Sequence, residues 1–218
     1  MSIIKVSDLT FCYEGSYDNI FENVSFQLDT NWRLGLTGRN GRGKTTLLRL
    51  LQGQYPYQGT IHASVGFDYF PFDVPDAAQS PMELLARICP DVPPWRFLRE
   101  LAPLEMSEDA LYRPFSTLSG GEQSKLLLAM LFSRENRFLL IDEPTNHLDR
   151  TGRELVSRYL SGKRGSCWCP TTGRSWTAAW ITSCPSTEAA STSSGGISPR
   201  GTRTSSGRTP LSCPRTSS

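Results

Sequence analysis

The segment Gly38-Arg-Asn-Gly-Arg-Gly-Lys44-Thr45 lies between an apolar run, Leu34–Thr37, and a leucine-rich segment, Thr45–Leu51. The apolar run predicts a strand, and the spacing of the leucines predicts a helix. The segment between them fits the G-x4-GK[ST] pattern of a phosphate-binding loop, in the strand–helix context that this pattern requires. Its glycines allow successive backbone N–H groups to point at one anion, and the start of the helix adds the positive end of its dipole. The segment therefore predicts an α/β domain that binds phosphate groups.

We expect the whole loop and the first residues of the helix to surround the phosphates of a nucleotide. Lys44 is expected to reach the β and γ phosphates, and the hydroxyl of Thr45 to ligate Mg²⁺. For Arg39 and Arg42, a charge exposed to solvent is as good an interpretation as a phosphate contact. The complete predicted set is Gly38, Arg39, Asn40, Gly41, Arg42, Gly43, Lys44, Thr45 and Thr46.

A second motif, Phe138-Leu-Leu-Ile-Asp142-Glu143, is an apolar run that ends in two carboxylates. Such a run is expected for a buried parallel strand, and open α/β sheets bind ligands at the carboxyl ends of their strands. Asp142 is predicted to hold Mg²⁺ through water, and Glu143 to polarise the attacking water. Two acids after a strand are also typical of a solvated loop. Following a phosphate loop, they favour a site for nucleotide hydrolysis.

A third motif, Leu118-Ser-Gly-Gly-Glu122, opens a predicted helix over Glu122–Phe132 and forms a second candidate anion site. With this motif the chain resembles the nucleotide-binding domain of ATP-binding-cassette (ABC) proteins, whose signature is LSGGE or LSGGQ. The resemblance implies that the signature of one cassette covers the γ-phosphate of an ATP bound to another. A second ABC cassette, or a homodimer mate, is therefore the implied partner. The signature residues carried over are Ser119, Gly120, Gly121 and Glu122.

The segment Asp142-Glu-Pro-Thr-Asn-His-Leu-Asp149 is similar to the DEPTNHLD segment of the ABC-F class. Residues 17–26 and 38–46 also resemble this class. Transporter cassettes more often carry Ser-Ala or similar residues at Asn146 and His147. The resemblance implies a soluble ATPase that uses ATP and Mg²⁺ and acts at the ribosome. The chain is most similar to the branch that confers resistance to ribosome-targeting antibiotics.

Two other functions remain open at this point: the ATPase subunit of an ABC transporter, and a nucleotide-binding remnant that does not hydrolyse ATP. Charge excludes a basic nucleic-acid-binding face, because residues 1–164 hold 18 of the 23 Lys and Arg and 20 of the 21 acids, a net charge of −2. We therefore expect no direct DNA binding. No apolar run reaches the ~20 residues of a membrane span, and the first residues lack the apolar core of a signal peptide. We expect a cytoplasmic protein without membrane insertion.

Two aromatic residues, Phe72 and Tyr13, occupy positions that matter for the predicted site. Phe72, in the segment Tyr69-Phe-Pro-Phe72, stands where the family usually has a Gln that senses Mg²⁺ and the attacking water. A phenyl ring neither donates nor accepts those hydrogen bonds. Tyr13 is the predicted aromatic that stacks on adenine; Tyr17 is the alternative, and an ordinary surface aromatic is an equally good interpretation.

The predicted fold class is an α/β P-loop NTPase cassette with a mostly parallel core sheet, a small antiparallel β subdomain and an inserted helical subdomain. The runs Ile3–Val6, Leu9–Tyr13 and Val24–Leu28 predict the antiparallel sheet. Seven prolines break residues 73–117 into short helical pieces such as Met82–Ile88. We therefore assign residues 1–164 to an incomplete cassette, with the helical insertion over about 73–117.

Residues 165–218 differ in composition from the rest of the chain. They carry five Arg, one acid and 23 Ser or Thr. The family should continue here with a buried strand that ends in Ser-His-Asp, whose His contacts the γ-phosphate, but residues 166–181 show no strand pattern. A disordered tail is the compositional interpretation. Zinc binding is a weaker one, because the spacing of Cys167, Cys169, Cys184 and Cys213 fits none of the usual pairs.

A lost reading frame is our third hypothesis for these residues. Reading each codon from its third base gives a shifted frame. Because Trp has a single codon, the shifted frame is fixed wherever a Trp stands. It contains Val at Trp168, Asp at Trp176 and Asp at Trp180. These three residues match the family's LVSHDRxFLDxxVDHIL continuation at the same intervals. The frame would then be lost near residues 162–166. The hypothesis predicts severely impaired hydrolysis, since the γ-phosphate-sensing His and the second cassette are missing.

Overall fold

A computed structural model describes residues 2–36, 41 and 43–169. Its seven strands are β1 (Ile3–Phe11), β2 (Phe21–Asp29), β3 (Arg33–Gly35), β4 (Gln58–Ala63), β5 (Gly66–Phe70), β6 (Arg137–Asp142) and β7 (Ser166–Cys169). Its five α-helices are α1 (Lys44–Leu51), α2 (Pro81–Ile88), α3 (Pro94–Leu101), α4 (Gly120–Ser133) and α5 (Arg150–Ser161). The predicted disordered tail lies, from residue 170 onward, outside the described residues.

The strands form two sheets, as predicted. A three-stranded antiparallel sheet has the order β2-β1-β4, and a four-stranded sheet with the order β3-β7-β6-β5 is parallel throughout. The runs Ile3–Val6 and Leu9–Tyr13 belong to one strand rather than two, because β1 passes through an irregularity at Asp8, whose φ is 54°. Strands β4 and β5 were not predicted as elements. The α/β fold class is confirmed.

Strand β6 lies at the centre of the core and is buried on both faces. Its alternate side chains enter two apolar clusters: Leu139 and Ile141 face the cluster that includes the helical insertion, and Phe138 and Leu140 face the cluster around α1. Burial on both faces explains why this strand shows a continuous apolar run. Asp142 ends the strand at the edge where the phosphate-loop helix begins.

The insertion between β5 and α4 is helical, as predicted, and one of its contacts with the rest of the domain is a buried carboxylate. Glu100 of α3 is 6% exposed. It accepts a hydrogen bond from Tyr159 Oη at 2.8 Å and pairs with Lys163. Because the carboxylate has both a hydroxyl and a cation as partners, its burial is compensated. The contact fastens α3 to α5.

The prediction that no strand follows α5 is wrong. Ser166–Cys169 forms β7, which pairs in parallel with β3 on one side and with β6 on the other, and all four residues are buried. Cysteine and tryptophan pack as apolar side chains. The segment can therefore form a strand that is buried on both faces, although it lacks the β-branched residues that are typical of such strands. The cassette therefore extends at least to residue 169.

Among the described residues, no helix is both long and apolar enough to cross a membrane.

Candidate functional site

The phosphate loop enters α1 through Gly43, which has a φ of 82°. A Cβ atom at this position would lie 2.8 Å from Ile20 Cγ2 and 3.1 Å from Phe21 Cζ. The positive φ and the close approach together require glycine. Gly41 also has a positive φ, 76°. The other predicted loop residues, Gly38, Arg39, Asn40 and Arg42, lie outside the described residues.

The two predicted metal ligands contact each other. Thr45, in the first turn of α1, donates a hydrogen bond from Oγ1 to Asp142 Oδ2 at 2.6 Å. A hydroxyl and a carboxylate are hard oxygen donors of the kind that Mg²⁺ prefers. Lys44 precedes Thr45 as the first residue of the same helix. The chemistry of these side chains fits Mg²⁺ held beside nucleotide phosphates.

A second hydroxyl at this site, that of Tyr69, was not predicted from the sequence. Tyr69 of β5 donates a hydrogen bond from Oη to the same Asp142 Oδ2 at 2.9 Å. Burial above all, together with the charge and hydrogen bond of Asp142, raises the pKa of Tyr69 to about 12. The phenol therefore stays protonated at neutral pH and remains a donor. Strand β5 itself was not predicted, and this is why its tyrosine was not placed next to Asp142.

The predicted catalytic carboxylate, Glu143, directly follows β6. Its φ of 46° lies in the left-handed region, which is uncommon for a residue other than glycine and concentrates at functional turns. Its backbone N–H donates to the carbonyl of Cys169 at 3.1 Å. Asn146 Nδ2 donates to Glu143 Oε2 at 2.5 Å. The turn and the amide thus fix the direction of this carboxylate beside Asp142.

The predicted signature forms the start of α4. Ser119 and Glu122 make a capping box, in which Ser119 N and Oγ donate to Glu122 Oε2 at 2.8 Å and Glu122 N donates to Ser119 Oγ at 3.3 Å. These bonds lower the pKa of Glu122. A Cβ on Gly120 would lie 3.3 Å from His147 Cβ, and one on Gly121 would lie 3.2 Å from Leu148 Cδ2. The signature therefore packs against the loop that follows β6.

The predicted adenine-stacking residue lies beside α1. Tyr13 Oη is 2.8 Å from Thr46 Oγ1, and the ring packs edge-on against Phe11 and Tyr55. Tyr13 is 40% exposed, whereas Tyr17 is 97% exposed. Tyr13 is thus in contact with Thr46, a residue of the predicted nucleotide site.

Phe72 and the cysteines of β7 are apolar packing residues in this structure. Phe72 is half-buried against the cluster that contains the helical insertion. Cys167 and Cys169 are buried, and their burial raises the pKa of both thiols. A zinc ligand must be a thiolate, so these environments do not favour zinc at either position.

Comparisons with known proteins agree with the fold and the motifs. The sequence profile of the family described as "ABC transporter" matches residues 21–84 and 90–146. ABC transporter F family member 3 of Arabidopsis thaliana is 34% identical over 164 residues, which are 72% of this chain and 23% of that protein. ATP-binding cassette sub-family F member 3 of Homo sapiens is 34% identical over 169 residues, 75% of this chain and 24% of that protein.

A solved bacterial Atm1-family ABC exporter with ATP bound shares the fold. Its TM-score is 0.63 at 17% identity, covering 77% of this chain and 34% of the exporter chain. The chain spans about a quarter of the length of the two F-type relatives. The family profile covers more than half of the chain, and the F-type relatives match across the same region. We conclude that the chain belongs to the ATP-binding-cassette family and is similar to its F-type members.

Proposed function

We propose that this chain is the cassette of an ABC-F type ATPase, which binds Mg²⁺-ATP and hydrolyses it at a head-to-tail interface between two cassettes. The 2.6 Å contact between Thr45 Oγ1 and Asp142 Oδ2 carries the proposal, because it joins the phosphate-loop helix to the carboxyl end of β6. This is the edge where open α/β sheets bind their ligands.

Each described residue of the site has one task in this proposal. Lys44 contacts the β and γ phosphates, Thr45 ligates Mg²⁺, and Asp142 accepts hydrogen bonds from water in the metal's shell. Glu143, held by Asn146, polarises the attacking water. Bound Mg²⁺ neutralises the charge that develops on the phosphate oxygens. Tyr13 stacks on the adenine.

The partner in this proposal is a second cassette. The glycines at the start of α4 leave backbone N–H groups available to the γ-phosphate of an ATP bound by that partner. The relatives are about four times as long as the matched region. A second cassette can come from elsewhere in a longer chain or from a homodimer mate.

A role at the ribosome, in translation or in protection from antibiotics, is the finer part of the proposal, and a cytoplasmic location goes with it. It is supported by the DEPTNHLD segment over residues 142–149 and by the F-type relatives. Co-sedimentation of the purified chain with ribosomes tests it, with ATP and without. Binding that increases with ATP supports the proposal, and equal absence of binding in both samples contradicts it.

A transporter ATPase is the second candidate, and the observation that favours it is the exporter cassette with the same fold. In that case the chain should bind to a membrane fraction that contains its transport domain and should fail to bind ribosomes. The same co-sedimentation assay, run with membranes beside ribosomes, separates the two functions.

We also propose that residues after about 162–166 are translated out of frame. The support is the three residues forced by Trp168, Trp176 and Trp180. The observed β7 is compatible with this proposal, because its cysteine and tryptophan side chains are apolar enough to be buried. The nucleotide sequence through codons 160–218 tests it: third bases incompatible with Ser-His-Asp after the forced Val would contradict a frame change.

Steady-state hydrolysis tests the catalytic part of the proposal. We expect ATP binding with turnover far below that of a complete cassette pair. Glu143→Gln should reduce the remaining turnover by about 100-fold and leave ATP binding unchanged. Turnover that is insensitive to Glu143→Gln would contradict the assigned role.

A further inference from the structure

We propose that Tyr69 is a positioning residue for the metal-site carboxylate, holding Asp142 in the orientation that receives Mg²⁺. The proposal rests on the function proposed above, because it assigns Tyr69 a role at that same site. Tyr69 touches Asp142 rather than substrate, so it acts through the carboxylate.

The pairing of the strands places Tyr69 next to the site. Strand β5 runs parallel to β6, with Tyr69 opposite Leu140 and Phe70 opposite Ile141. Because side chains alternate along a strand, Tyr69 lies in the cluster around α1, while Phe70 lies in the opposite cluster. The Tyr69 hydroxyl thereby reaches Oδ2 of Asp142, which lies two residues after Leu140 on β6.

Arg49 interacts with the same tyrosine hydroxyl that contacts Asp142. Arg49 lies one helical turn after Thr45, and its Nη1 donates to Tyr55 Oη at 3.1 Å. It also interacts with Tyr69, and the two tyrosine hydroxyls raise the pKa of the guanidinium. A guanidinium only donates hydrogen bonds. The Tyr69 oxygen therefore faces Arg49 as an acceptor and directs its proton to Asp142.

The two hydroxyl donors at Asp142 share one carboxylate oxygen, and the Cys169 thiol is a further hydrogen-bonding partner of this carboxylate. Thr45 and Tyr69 both donate to Oδ2. Thr45 can keep donating its proton while an oxygen lone pair ligates Mg²⁺. Two donors on different elements, α1 and β5, prevent the carboxylate from rotating. Held in this way, the carboxylate would accept hydrogen bonds from water in the shell of a bound Mg²⁺.

The segment that contains Tyr69 offers no polar side chain at position 72. Phe72 packs into an apolar cluster and contributes no polar group. Three residues earlier, Tyr69 supplies a hydrogen-bond donor directly to the metal-site carboxylate. In this segment the polar contact to the metal-site carboxylate therefore comes from the strand rather than from the loop that follows it.

The test measures how the affinity for a fluorescent ATP analogue depends on Mg²⁺ concentration. Tyr69→Phe removes one hydroxyl and keeps the ring. We expect the Mg²⁺ concentration that gives half of the maximal increase in affinity to rise about tenfold, since a hydrogen bond to a charged group is lost. Affinity measured in EDTA should change less than twofold. Tyr57→Phe is the matched control, because Tyr57 is a half-buried tyrosine of the same apolar cluster, and it should leave the Mg²⁺ dependence unchanged.

A second variant keeps Tyr69 and removes only the group behind it. Arg49→Met should shift the Mg²⁺ dependence in the same direction by about threefold, because the phenol hydroxyl is then less strictly oriented. If Tyr69→Phe and Arg49→Met both leave the Mg²⁺ dependence within twofold of the unsubstituted chain, the assignment is wrong.

A metal-free measurement separates this assignment from the proposed function. Urea unfolding of Tyr69→Phe, Asp142→Asn and the double variant should show coupling of about fivefold in the unfolding equilibrium constant. The two substitutions can be coupled even if the unsubstituted chain binds no nucleotide. That result would contradict the proposed function and support the Tyr69–Asp142 contact. Independent, additive effects of the two substitutions would overturn the role of Tyr69, whether or not the chain binds ATP.

Discussion

Helices α2 and α4 begin with the same hydrogen bonds, although only α4 carries the signature. In α2, Ser80 and Glu83 form a capping box with distances of 2.8, 2.8 and 3.4 Å. The corresponding distances for Ser119 and Glu122 in α4 are 2.8, 2.8 and 3.3 Å. The serine and the glutamate of the signature therefore cap their helix in the same way as the pair in α2.

The two helices differ in the pair of residues inside the box. In α2 the pair is Pro81-Met82, and in α4 it is Gly120-Gly121. Proline has no backbone N–H, whereas both glycines keep theirs and carry no side chain over them. The two glycines are therefore what distinguishes the anion site proposed at the start of α4 from the start of α2.

The largest effect is expected when the pair of α2 is transferred into α4. Gly120→Pro with Gly121→Met places side chains where Cβ atoms would lie 3.3 Å from His147 and 3.2 Å from Leu148. Overpacking of this kind should lower the free energy of unfolding by about 3 kcal/mol. Urea denaturation measures it, and a loss below about 1 kcal/mol would mean that the loop after β6 does not need glycines beside it.

A smaller and equal effect is expected when the caps are removed one at a time. Ser80→Ala and Ser119→Ala should each lower the free energy of unfolding by about 1 kcal/mol, the usual cost of losing an N-cap. Chemical denaturation of both variants checks this. Only Ser119→Ala should also weaken ATP-dependent association of cassettes, as measured by light scattering. Equal effects of the two variants on association would show that Ser119 has no function beyond capping.

The smallest effect is a shared dependence on acid pH. Hydrogen bonds from Ser80 and Ser119 lower the pKa of Glu83 and Glu122 in the folded chain. A lowered carboxyl pKa contributes stability that is present above the unfolded pKa of 4.5 and is lost as the pH falls through the folded pKa.

The free energy of unfolding, measured between pH 3 and pH 6, should therefore depend less steeply on pH in Glu83→Gln and in Glu122→Gln than in the unsubstituted chain. Glu108→Gln, a change at an exposed glutamate outside both boxes, serves as the control. A slope that is unchanged in both box variants would contradict the assigned hydrogen bonds.

Much of the fold and the site was predictable because it depends on local sequence. The strand that ends at Asp142 is buried on both faces and therefore appears as an apolar run. Thr45 and Asp142 were predicted to share a metal, and the structure brings them into contact. The α4 start was predictable from the glycines after Ser119.

The remaining features depend on partners that are distant along the chain. Tyr69 and Asp142 are 73 residues apart, and nothing local to either residue indicates that β5 and β6 are neighbours in register. Strand β7 was missed because Ser-Cys-Trp-Cys lacks β-branched residues; its strand state is imposed by pairing with β3 and β6 on either side. Tertiary context outweighs local propensity in such cases.

The most direct test of the central claim is equilibrium binding of a fluorescent ATP analogue to the purified chain, with and without Mg²⁺, compared with Lys44→Ala. The structure predicts binding that Mg²⁺ strengthens and that Lys44→Ala weakens by at least about tenfold, the loss of a charged phosphate contact. Binding that is insensitive both to Mg²⁺ and to Lys44→Ala would contradict the assignment of a nucleotide site to Thr45 and Asp142.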